Sequence, residues 1–122
     1  MKKILIVDDE EKVRKLVKVT LSIGELEILH ASSGEEGLRK ARESMPDIVL
    51  LDVMMPGRLD GTEVCRLLKK DPATKDIYII MLTAKGQQAD KKKGFAAGAD
   101  EYFVKPFSPL KLMNKIDKIL DK

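Results

Sequence analysis

Five residues suited to handling charge stand at the downstream ends of short apolar runs, far apart in a chain of 122 residues. Lys3 to Val7 leads into Asp8 and Asp9, Ile48 to Leu51 into Asp52, Ile77 to Leu82 into Thr83, and Tyr102 to Val104 into Lys105. If these runs are parallel strands, their carboxyl ends share one edge of a sheet. Three carboxylates, a hydroxyl and an ammonium then converge. Three carboxylates a few ångströms apart repel by about 4 kcal/mol per pair at an effective dielectric near ~20. Either some are protonated or a cation joins them. Oxygen donors with no His or Cys nearby select a hard ion, and a few carboxylates completed by water suit Mg²⁺. Ca²⁺ fits less well, because no loop supplies six or more oxygens. Taken alone, Asp8 and Asp9 also read as ordinary surface acids. Thr83 and Lys105 change the balance, since a hydroxyl and a lysine both serve phosphate oxygens. Phosphoryl transfer is dominated by positioning and electrostatics. The acceptor should be a carboxylate on a central strand, and Asp52 is the candidate.

The elements that must position these groups alternate along the chain without repeat or linker. Lys3 to Val7, Ile48 to Leu51 and Ile77 to Leu82 are apolar enough for strands covered on both faces. Glu27 to Ala31 and Glu101 to Val104 are mixed, which suits edges. Val13, Leu16, Val17, Thr20 and Leu21 form a helical stripe, with Gly24 placed to stop it. Ser33 is placed to cap a second helix through Ala41, ended before Pro46. Val64, Leu67 and Leu68 mark a third, closed by Asp71-Pro72. A weaker pattern covers about Gln87 to Ala97, where Gly94 costs about 1 kcal/mol in a helix interior. Leu112, Met113, Ile116, Ile119 and Leu120 mark the last, with Ser108 as N-cap and Pro109 in the first position. The expectation is one α/β domain over residues 1–122, a flavodoxin-like (βα)5 doubly wound sandwich. Its five-stranded parallel sheet has the order 2-1-3-4-5, with helices on both faces and right-handed crossovers. Ligands in such sheets bind beyond the carboxyl ends where the winding reverses, between strands 1 and 3. Asp8, Asp9 and Asp52 are at those two ends.

Composition limits the alternatives. Hydrophobic residues make up 43% and charged residues 35% of the chain, as in an ordinary globule. Met1-Lys2-Lys3 is followed by too short an apolar stretch for a signal peptide, and the longest apolar run falls far short of a membrane span. A cytoplasmic protein is expected, with no membrane partner. The single cysteine, Cys65, lies in a helical stripe and reads as a packed thiol. His30 reads as an exposed strand residue. The net charge of +3 is concentrated between Lys85 and Gly98, with Lys91, Lys92 and Lys93. That window reads as a solvated face or a dock for an acidic partner. With no tryptophan and no recognition motif, direct nucleic-acid binding is not expected.

Ile6-Val7-Asp8-Asp9-Glu10, Leu51-Asp52-Val53-Met54-Met55-Pro56, Asp60-Gly61, Leu82-Thr83-Ala84 and Val104-Lys105-Pro106-Phe107 together resemble the receiver domain of bacterial two-component response regulators. The resemblance covers essentially the whole chain. It implies that Asp52 accepts a phosphoryl group from the phosphohistidine of a sensor kinase or phosphotransfer protein. Asp9 and Asp52 would ligate Mg²⁺ directly, the main-chain carbonyl of Met54 would add a third ligand, and Asp8 would act largely through water. Lys105, Thr83 and the Ala84 amide would hold the phosphoryl oxygens. Tyr102 matches a switch aromatic that moves with Thr83, and Lys105-Pro106 matches a cis bond. The face built from the helix over 87–97, the fifth strand and the final helix would then change for a downstream protein or a fused output domain. A monomer is expected, with dimerisation on phosphorylation as the alternative. Two departures stand out. Gly57-Arg58-Leu59 makes the loop before Asp60 one residue longer than usual, and Met54 and Lys85 occupy positions that tune self-dephosphorylation.

Other function classes fit less well. A phosphatase with an aspartyl nucleophile wants a second acid two residues on, where this chain has Met54, so no multiple-turnover enzyme is expected. Nucleotide-binding glycine loops are absent. A receiver-shaped module that takes no phosphate would not need all of the acids, Thr83 and Lys105. The last helix runs to the end of the chain, which fits either a stand-alone regulator or part of a longer one.

Overall fold

A computed structural model describes residues 2–22, 25–84, 97–105 and 107–120. Their strands are β1 (Lys2–Val7), β2 (Leu26–Ala31), β3 (Ile48–Asp52), β4 (Tyr78–Ala84) and β5 (Glu101–Lys105). The helices among them are α1 (Glu11–Thr20), α2 (Gly34–Ser44), α3 (Gly61–Lys70) and α4 (Pro109–Leu120). All strand pairs are parallel and the order is β2-β1-β3-β4-β5, as the mixed character of the edge strands implied. The expected helix over about Gln87 to Ala97 falls outside the described residues except for Ala97. Gly24, Lys85 and Pro106, with the cis bond and the lysine cluster, also fall outside them.

Side-chain alternation divides the core. Ile4, Ile6, Ile48, Leu50, Ile80 and Leu82 face one side, where Val17 and Leu21 from the α1 segment and Leu112 and Ile116 of α4 cover them. Leu5, Val7, Val49, Leu51, Ile79 and Met81 face the other, under Leu38 and Ala41 of α2 and Val64, Cys65 and Leu68 of α3. A strand in such a sandwich buries both of its faces, which explains runs without a polar alternate. Cys65 is fully buried, and burial first among several causes pushes its thiol up to about 11. It is packing material. No helix among the described residues is long and apolar enough to cross a membrane.

Side-chain caps mark where α2, α3 and α4 begin, whereas Glu10 before α1 makes no such bond. Ser33 Oγ accepts from the Glu36 amide at 3.2 Å, Asp60 Oδ1 from Glu63 at 2.9 Å, and Ser108 Oγ from Lys111 at 3.3 Å. Each satisfies a backbone donor left open in a first turn. His30 departs from expectation: it lies on β2 but is half-buried rather than exposed. Burial, then Lys18, Arg14 and Lys40, hold its pKa below the usual histidine value.

Lys69 ties α3 to the far end of the sheet. Its ammonium donates to Asp100 Oδ2 at 2.9 Å, to the Ile77 carbonyl at 2.8 Å and to the Lys75 carbonyl at 3.0 Å. Asp100 Oδ2 also accepts from the Ile79 amide at 2.8 Å, at the start of β4. Lys69→Met keeps the apolar stem and removes the three bonds of the ammonium, leaving the one from Ile79 to Asp100. A loss of about 1–3 kcal/mol in unfolding free energy is expected by urea titration, chiefly the cost of taking the ammonium from the partly buried Ile77 carbonyl. An unchanged midpoint would refute this role.

Candidate functional site

The acidic site forms where β1 and β3 end side by side. β1 is paired to β2 and β3 through Val7, opposite Ala31 and Leu51. Asp8 leaves the strand with its amide bonded to the Ala31 carbonyl at 3.1 Å. Its carboxylate turns back, and Oδ1 accepts from the Glu10 amide at 2.9 Å. The guanidinium of Arg14, the fourth residue of α1, donates to the Asp8 carbonyl at 2.7 Å. Asp52 is the last residue of β3, paired in register with Leu82. Asp8 is fully buried, Asp52 is 6% exposed and Asp9 is exposed.

Asp8, Asp9 and Asp52 each offer a carboxylate oxygen such that all three lie within 4.8 Å of one another. Lys105, at the end of β5, reaches across with Nζ 2.8 Å from Asp8 Oδ2, 3.4 Å from Asp52 Oδ2 and 3.3 Å from Glu10 Oε1. Asp8 Oδ2 is nonetheless without a hydrogen bond of good direction. Its contact with Lys105 is Coulombic, and such a buried oxygen is suited to a cation.

Electrostatics record the crowding. Burial, and then the Asp8 carboxylate, raise the Asp52 pKa from 3.8 to about 7 against the opposing pull of Lys105. Burial works against the charge on Lys105, but Asp8, Asp52 and Glu10 outweigh it and hold the ammonium above its usual range. One ammonium does not neutralise the cluster. The donor set is all oxygen, hard and anionic, and it fits a hydrated divalent ion such as Mg²⁺.

Thr83, Ala84 and Met54 lie along the same edge, whereas Tyr102 stands three residues back from it on β5. Thr83 is buried one residue beyond Leu82, and Ala84 stands in register with Lys105. Both belong to β4, which continues past its apolar run because β5 keeps pairing with it. Met54 follows Asp52 by two residues, its amide 3.4 Å from Asp52 Oδ1 and its side chain exposed. Tyr102 pairs with Met81 in register and packs, partly buried, on the α2/α3 side of the core. Two contributors carry no expectation from sequence. Glu10 reaches Lys105, and Arg14 braces Asp8. The spacing of Asp8 and Arg14 across the start of a helix was the available signal, but an arginine on an amphipathic helix reads first as solvated surface.

Comparison with known proteins converges on one family. Residues 4–117 match the response regulator receiver domain. The transcriptional regulatory protein ResD of Bacillus subtilis is 46% identical over 118 residues, covering 97% of this chain and 48% of that protein. The alkaline phosphatase synthesis transcriptional regulatory protein PhoP of the same organism is 44% identical over 119 residues, covering 98% of this chain and 48% of its own length. The chain thus spans about half the length of these relatives. Among solved structures, the chemotaxis response regulator CheY4 of Vibrio cholerae superposes with a TM-score of 0.88 at 34% identity, covering 98% of each chain. A CheY-like receiver domain protein from Methanospirillum hungatei gives 0.90 at 31% identity, covering 99% of this chain and 94% of its own. Sequence and fold agree with these relatives, and the chain belongs to the response regulator receiver domains of two-component systems.

Proposed function

We propose that residues 1–122 form one receiver domain that acts as a signalling switch, with Asp52 as the phosphoryl acceptor. The observation carrying this reading is the meeting of Asp8, Asp9 and Asp52 within 4.8 Å, with Lys105 in reach of two of them. Asp9 and Asp52 would hold Mg²⁺ directly with the Met54 carbonyl, and Asp8 largely through water. The ion would offset anionic charge on the acids and on the phosphoryl oxygens. An Asp52 carboxylate oxygen forms the new bond to phosphorus as the bond to the kinase imidazole nitrogen breaks, and that imidazole takes up a proton. Lys105 follows the developing charge, and the Thr83 hydroxyl and Ala84 amide donate to phosphoryl oxygens. No multiple-turnover substrate is involved.

Phosphorylation brings about −1.5 to −2 units of charge into this edge. Thr83 would shift toward it and Tyr102 would follow, changing the surface around β5 and α4 for a downstream protein or a fused output domain. Incubation with acetyl phosphate and Mg²⁺ is expected to label the peptide containing Asp52, read as a mass shift. Chelation with EDTA should slow labelling by about 100-fold or more, the scale of losing metal charge stabilisation. Labelling indifferent to the chelator would sink the reading.

A further inference from the structure

The segment from Met54 to Asp60, between β3 and α3, borders the acidic pocket and is anchored at both ends. At its base the Gly61 amide donates to the Val53 carbonyl at 3.0 Å. At its far end Leu59 is held from several directions. Its amide donates to Glu35 Oε1 at 2.8 Å, across 24 residues of sequence. Its carbonyl lies so close to Gly34 that a Cβ there would sit 2.1 Å from the oxygen. Its side chain packs on the α2/α3 side of the core. Between these anchors Gly57 turns the backbone with φ +108°.

Met54 opens this segment. Its own bond toward the acids is long, with 3.4 Å between its amide and Asp52 Oδ1. Val53 and Met55, on either side of it, are buried in the core, so the direction of its peptide is set by that packing together with the course of the loop. We infer that Glu35 is a positioning residue for the pocket: by tethering Leu59 it fixes residues 54–60, and with them the Met54 carbonyl. This rests on the Mg²⁺-dependent reading above, in which that carbonyl is a ligand. Glu35 itself touches neither phosphorus nor ion. It acts through a hydrogen bond rather than through its charge.

Amide NMR of the isolated domain, titrated with MgCl₂ and no phosphoryl donor, tests this on the parent, Glu35→Ala and Glu35→Gln. Alanine removes the acceptor, whereas glutamine keeps an oxygen in place and loses the charge. In Glu35→Ala the Leu59 amide should exchange faster and the Kd for Mg²⁺ should rise about fivefold, as expected for losing one bond of typical net strength. Glu35→Gln should stay within about twofold of the parent, because a neutral acceptor still satisfies the amide. Unchanged Mg²⁺ affinity in Glu35→Ala would overturn the inference. So would equal weakening in both variants, which would make the effect one of charge. Failure of the parent itself to bind Mg²⁺ saturably would instead overturn the metal-dependent reading, and this inference with it.

Discussion

Asp52→Asn is expected to abolish phosphoryl labelling, a fall of about 100-fold or more, while making the metal-free protein more stable. The two effects have one cause. Asparagine keeps the shape of the side chain but offers no anionic oxygen to phosphorus. It also removes one member of a crowded carboxylate set whose charge is unfavourable without a cation. The folded protein holds the Asp52 proton up to about pH 7, whereas the unfolded value is 3.8. A carboxyl whose folded pKa is raised favours the folded state below the unfolded pKa, and that advantage is lost as pH rises through the folded pKa. Stability of the metal-free parent should therefore decline between about pH 4 and pH 7 through this group. Asp52→Asn should lack that component. After discounting for solvent at the pocket mouth, the gain at neutral pH is on the order of 1–2 kcal/mol. Lys105 retains Asp8 at 2.8 Å in the variant, so no ammonium is stranded. Urea titrations in EDTA at several pH values, beside labelling with acetyl phosphate, read both effects. A folded variant that still takes label would remove Asp52 as the acceptor. A variant less stable than the parent in EDTA would remove the account of charge crowding.

The elements were legible where one physical demand dominated. Strands β1, β3 and β4 announce themselves because a strand with helices on both faces has no solvent side, so Ile4 to Val7 and Ile48 to Leu51 carry no polar alternate. Edge strands β2 and β5 keep polar residues, and that contrast was enough to order the sheet. Caps at Ser33 and Ser108 were readable because they satisfy amides within three residues. Element ends were less readable. Thr83 and Ala84 belong to β4 because Val104 and Lys105 stand opposite them, and a ladder partner 21 residues away leaves no local trace. At the acidic edge, residue types and strand ends were enough to bring Asp8, Asp9 and Asp52 together. The full burial of Asp8, its brace from Arg14 and the reach of Glu10 to Lys105 were not legible. They depend on side-chain directions that pattern does not encode. Glu35 is the extreme case: an acid in a first helical turn reads as a partner for the helix dipole, and nothing local points to Leu59.

Gly61→Ala tests how closely the acidic edge is built against α3. In a helix interior this change would stabilise by about 1 kcal/mol, since alanine is the better helix former, and at a first helical position such as Gly61's by less. Here the opposite sign is expected. A Cβ on Gly61 would lie 1.9 Å from the Asp52 carbonyl oxygen and 2.9 Å from the Val53 Cα, both backbone atoms. No rotamer relieves such a contact. Either α3 backs away, breaking the 3.0 Å bond from the Gly61 amide to Val53, or the end of β3 shifts. Moving α3 loosens Val64, Cys65 and Leu68 in the core, all fully buried. Moving β3 displaces Asp52 relative to Asp8 and Lys105. The destabilisation should reach about 3 kcal/mol or more, the upper range for forcing atoms into a packed interior. A domain of ordinary stability, about 5–15 kcal/mol, would survive that loss. Labelling can therefore be measured on folded Gly61→Ala at low temperature. It should be slowed by about tenfold or more, because small displacements of a reacting group cost rate steeply. Parental stability in this variant would mean that the approach of α3 to Asp52 is looser than the distances imply. Parental labelling despite lost stability would mean that α3 retreats alone and leaves the acid in place.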